Sequence, residues 1–245
     1  MKNFFVLLLL SCISINCLAQ DAALEKQELF IAQLINQQVK QQISIKNSIS
    51  SILTRYPEQV ETVLNVALSI YPYDYRQIML GALKAEPVLA CDVIEILLNT
   101  NVATSEEIIK IVVEAEPAYA QEIINTAIAH TPDDIEHIIR VAISTEPLHS
   151  TSILNETMTS FPEKMLSILT GVIKALPEQV VLWVQNSLKL FPEQSEQIVT
   201  TAVISSQSKH TRDIINAAIL AGYDEQLAMS AALAGEAKKT EVAKQ

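Results

Sequence analysis

Apolar side chains recur along this chain in a fixed figure of fifteen residues. With each unit numbered from the residue that opens it, beginning at Pro57, position 7 reads Val63, Ile78, Val93, Ile108, Ile123, Ile138, Ile153, Ile168, Trp183 and Ile198. Position 8 is equally apolar, from Leu64 and Met79 to Val184 and Val199, and so is position 12, from Leu68 to Val203. Position 11 is mostly small, as at Ala67, Ala82, Ala127, Ala142, Ser187 and Ala202. Apolar residues at positions 4, 7, 8, 11 and 12 lie on one face of an α-helix.

The nine prolines mark the same time, at 57, 72, 87, 117, 132, 147, 162, 177 and 192, with Val102 on the one missing beat. Fifteen residues over four turns would also suit a long right-handed coiled coil. Interior prolines exclude it, at about 3 kcal/mol each. At the first helical position proline costs little, because its absent N–H has no partner there. It also pushes the residue before it out of helical geometry. The pattern therefore predicts one helix of about 12 residues per unit, roughly 18 Å long, and then a tight turn.

Short turns make successive helices antiparallel, so two units form an αα hairpin. A 30-residue period is visible in Glu86-Pro87, Glu116-Pro117 and Glu146-Pro147. Position 9 alternates on the same period, with Glu95, Asn125 and Asn155 set against Lys110 and Arg140. The predicted fold class is all-α: an α-solenoid of about 12 short helices stacked as hairpins. In geometry it resembles HEAT-like and other αα-repeat solenoids. Gly81 and Gly171, both at position 10, predict close approach of a neighbouring backbone.

The expected organisation is a secretory signal peptide at 1–19, N-terminal capping helices at 20–56 and ten repeats at 57–206. C-terminal capping helices follow at 207–234, then a flexible charged tail at 235–245. Lys2, the apolar run Phe4 to Leu10 and the small residues Cys17 and Ala19 have the layout of an export signal cleaved after Ala19. Lipidation at Cys12 or Cys17 is the competing reading, and the residues before Cys17 are wrong for it. Cleavage leaves Cys91 as the lone cysteine, so no internal disulfide is expected. No later stretch is long and apolar enough for a transmembrane helix.

With 28 acids against 17 bases the chain carries −11, or −12 once Lys2 is removed. That sign argues against nucleic acid, whose phosphates require a basic face. It favours a basic protein or peptide partner. Candidate partner-binding residues are Glu86, Glu116 and Glu146, one per hairpin along one edge, with Tyr119, Lys110 and Arg140. The bland reading makes each Glu a carboxylate beside a helix N-terminus, and pairs Lys110 and Arg140 with neighbouring acids.

His130, Asp133 and His137 make a weak, open trio without zinc spacing, so no metal and no cofactor are expected. Trp183, at position 7, reads as core. No nucleophile elbow, HExxH, Walker loop or dinucleotide fingerprint occurs, and the turns are short. The sequence thus predicts an exported, periplasmic or extracellular, non-enzymatic scaffold. The alternative is a carrier of an apolar small ligand in the solenoid groove. Self-association through the Gln-rich helix Asp21 to Gln41 is a further expectation.

Overall fold

A computed structural model describes residues 24–100 and 102–242. The expected signal peptide at 1–19 lies outside the described residues. Within them every regular element is helical, as an all-α repeat solenoid requires. The chain forms two compact units, divided between Ile96 and Leu97.

The first unit contains α1 (residues 24–40), α2 (Ile45–Arg55), α3 (Val60–Ile70) and α4 (Tyr75–Ala85). It also holds most of α5 (Ala90–Leu98). Here α2 lies against α4. The second unit contains α6 (Ser105–Ala115), α7 (Ala120–His130), α8 (Ile135–Thr145), α9 (Ser150–Ser160) and α10 (Met165–Ala175). It continues with α11 (Val180–Leu190), α12 (Ser195–Ser205), α13 (Thr211–Leu220) and α14 (Glu225–Val242). Within it α6, α8, α10, α12 and α14 stack in succession as one layer, and α7, α9, α11 and α13 as the other. The core lies between the layers, where Ile108, Ile123, Ile153, Ile168, Trp183 and Ile198 are buried. The Trp183 indole N–H donates to the Leu176 carbonyl at 3.1 Å.

The proline rhythm works through one turn geometry. The residue before the proline has left the helix, with φ/ψ of −139°/65° at Tyr56 and −131°/63° at Phe161. Its N–H still closes on the fourth carbonyl back, at 2.9 Å from Tyr56 to Ile52 and from Phe161 to Thr157. The proline then opens a three-residue 3₁₀ turn that runs into an α-helix, eleven residues long in α3, α7 and α9. One residue of non-helical backbone thus suffices to reverse the chain.

Where the proline is missing the junction changes. α5 has nine residues, and Thr104 caps α6 by accepting the Glu107 N–H at 3.2 Å. The division of the chain into two units falls in α5, inside the array expected at 57–206. The outermost junctions use left-handed residues instead, Gln42 (φ 66°) after α1 and Gly222 (φ 96°) after α13. These are followed by side-chain caps from Ser44 and Asp224.

The glycines mark the closest helix pairs. A Cβ on Gly81 would lie 2.7 Å from the Lys46 carbonyl oxygen of α2, and one on Gly171 2.7 Å from that of Glu136 in α8. Gly235 meets the Thr200 carbonyl of α12 in the same way, at 2.9 Å. The expectation of a loose tail from 235 is corrected here, because α14 continues to Val242. Lys239 holds that end down: its ammonium donates to the Val203 carbonyl at 3.2 Å and to that of Ser206, supplying donors at the C-terminus of α12.

Candidate functional site

Glu86, Glu116 and Glu146 each cap the C-terminus of a helix and stand immediately before a proline. Their backbones close the turns. The Glu116 N–H donates to Val112 at 2.9 Å, and the Glu116 carbonyl accepts from Tyr119 at 3.0 Å. At Glu146 the partners are Ala142, at 2.9 Å, and His149, at 3.2 Å. Glu116 and Glu146 precede the neighbouring helices α7 and α9, so they are successive rungs on one edge of the second unit. Glu86 belongs to the first unit. Burial raises the Glu116 carboxyl above the usual carboxylate range, whereas the Glu146 carboxylate lies 3.6 Å from the His149 imidazole. Tyr119 is half-buried at the foot of α7, and Leu148, at the foot of α9, is 94% exposed.

Lys110 and Arg140 stand elsewhere, on the exposed side of α6 and α8. Lys110 faces Glu114 at 3.9 Å, and Arg140 faces Glu106 at 3.6 Å. His137 joins the second pair, 3.2 Å from Glu106 and 2.8 Å from Arg140. Glu106, Lys110, Glu114 and Arg140 border an open groove of about 340 Å³ between α6 and α8. Half-exposed pairs of this kind are worth about 0–1 kcal/mol, since water screens them. Of the six sequence-predicted residues, the five in the second unit therefore occupy two separate places, and Glu86 belongs to the first unit.

His137 turns toward α6, and Asp133 faces Lys164 at 3.9 Å, so the trio with His130 does not assemble. Among the described residues no three His, Cys, Asp or Glu side chains are grouped to hold a metal ion.

Two further surfaces carry no sequence motif. One is an apolar pocket of about 240 Å³ in the first unit, lined by Phe30, Ile31, Leu34, Ile52, Tyr56 and Val63. Its lining comes from three helices, and no spacing in sequence joins them. The other is a groove between α7 and α9 lined largely by polar residues. It has one pocket of about 270 Å³ near Glu122, Ser152 and Glu156 and another of about 330 Å³ near Gln121, Asn125 and Asn155. The alternation at position 9 was its signal in sequence.

No single helix among the described residues is long and apolar enough to cross a membrane. The α10 and α11 segments together reach that composition, but the chain bends by 118° between them. Comparison with protein-family models, with curated proteins and with solved structures finds no match.

Proposed function

We propose that this chain is an exported, non-enzymatic scaffold that binds a protein or peptide partner of basic character. The observation that supports it most is the set of open, charged inter-helix grooves in the second unit, held on helices whose turns are too short to move freely. A stack of repeats presents such grooves in register, which suits an extended partner. The acid excess supplies long-range attraction, and it weakens with added salt.

Affinity capture on residues 20–245 from envelope and culture-supernatant fractions, with mass spectrometry of proteins and lipids, tests this reading. The expected outcome is a specific protein partner released by high salt. The second reading, a carrier of an apolar ligand, draws on the 240 Å³ apolar pocket in the first unit. It requires a lipid or other apolar molecule to copurify without a protein partner, and that outcome would displace the scaffold.

A further inference from the structure

We propose that the layer formed by α7, α9, α11 and α13 grips the main chain of an extended, polyproline-II peptide through a ladder of side-chain amides. This rests on the scaffold reading and names its site and partner class. Position 9 of these helices is Asn125, Asn155, Gln185 and, after the one-residue insertion, Asn216. The same position in the facing layer is Lys110, Arg140, Thr170 and Thr200, so the amides belong to one layer alone. Asn125, Asn155 and Gln185 are half-buried and Asn216 is exposed. Each of the four helices lies beside the next, which puts the amides in register, one per helix.

The chemistry fits a peptide backbone. A primary amide offers both a donor and an acceptor, as a peptide unit requires. Gln121 joins the ladder, its Nε2 donating to Asn125 Oδ1 at 3.0 Å and to Thr157 Oγ1 at 3.1 Å. Asn155 Oδ1 is shielded from solvent and has no hydrogen-bond partner among the described residues. An orphan of that kind is unfavourable, and a ligand N–H brought to it would satisfy it.

The usual spacing of packed helices favours one conformation. Packed helices lie about 8–10 Å apart. A polyproline-II chain advances about 9.3 Å in three residues and presents the same face every third residue. A β-strand alternates faces every second residue and falls out of step. The exposed carboxylates of Glu122 and Glu156 border the groove, and Ser152 holds the latter with a 2.6 Å hydrogen bond. His149 lies at the same pocket, within 3.6 Å of Glu146. The best occupant therefore carries a cation and a free N–H on every third residue, with proline between.

The probe is a fluorescent (Pro-Pro-Lys)4 peptide titrated into residues 20–245. The expected result is saturable binding, weaker for (Gly-Gly-Lys)4, which has equal charge and no preformed helix. The triple variant N125A/N155A/Q185A, with its helicity verified, should weaken binding at least about tenfold, the loss of one or more hydrogen bonds. On the unmodified protein, the side-chain NH2 resonances of Asn125 and Asn155 should move on titration, a readout that needs no variant. No binding at millimolar peptide overturns the ladder, as does binding that the triple variant or the glycine peptide matches. A partner captured under any of those outcomes would leave the scaffold reading standing and only this site refuted.

Discussion

Gly171 shows how far one side chain governs the packing here. In an ordinary helix interior, replacing glycine by alanine gains roughly 0.8–1 kcal/mol. Here the added Cβ would meet the Glu136 carbonyl oxygen at 2.7 Å and Ile139 Cβ at 3.1 Å, and the backbone carbonyl cannot step aside. Overpacking costs about 1–3 kcal/mol, so G171A should destabilise the second unit despite the propensity gain. Urea denaturation followed by the single tryptophan, Trp183, measures it directly, since that side chain is fully buried in the same unit. Glu116 makes a second case. Burial raises its folded carboxyl above the unfolded value. The folded state then holds the proton to higher pH, and stability falls as pH rises through the carboxylate range. E116Q removes that burden, so it should be more stable than the parent at pH 7 and indistinguishable from it at pH 3. Denaturation midpoints at the two pH values decide it, and an equal gain at both would assign the effect to packing.

The element of this fold is a pre-proline residue, a 3₁₀ turn and an α-helix. Its uniformity makes the exceptions informative. At the missing beat, Thr104 supplies a cap in place of the proline, and T104A should lower stability by about 1 kcal/mol. Thermal unfolding of T104A beside T104S tests this, because serine restores the hydroxyl and should restore the stability. The α12–α13 junction opens its 3₁₀ turn on Ser208 instead of proline, and at the outermost junctions Gln42 and Gly222 take positive φ. The helix of the repeat was legible in the apolar spacing. Its 3₁₀ first turn was not, because proline at N1 is compatible with either helix type.

Across the second unit the two layers differ in chemistry as well as in partners. One carries Lys110 and Arg140, tied to acids on their own layer, and the other carries the amides. Cooperative protection should follow the closest packing. Amide exchange within this unit should be slower in α8 and α10, joined at Gly171, than in α7 and α9, which carry no glycine, a pattern that exchange mass spectrometry resolves by peptide. Equal protection of the two helix pairs would refute the assignment of tight packing to the glycine contact. The candidate site was half visible from sequence: the alternation of Asn125 and Asn155 with Lys110 and Arg140 stood out. The groove beside those amides did not, because it is made by helices thirty residues apart.

Period, proline placement and apolar face are local properties, and they determined the place of each helix, its C-terminal end and the hairpin pairing without reference to the rest of the chain. Trp183, Gly81 and Gly171 were readable for the same reason, since position within a repeat already states which face is buried. The tertiary structure decided what depends on distant partners. It took His137 from its expected neighbours and gave it to Glu106. It turned a charged tail into helix, because Lys239 finds the carbonyls of Val203 and Ser206 at the end of α12. A repeat fixes its own helix by short-range sterics, whereas a side chain's partner is fixed by whichever helix the stack brings against it.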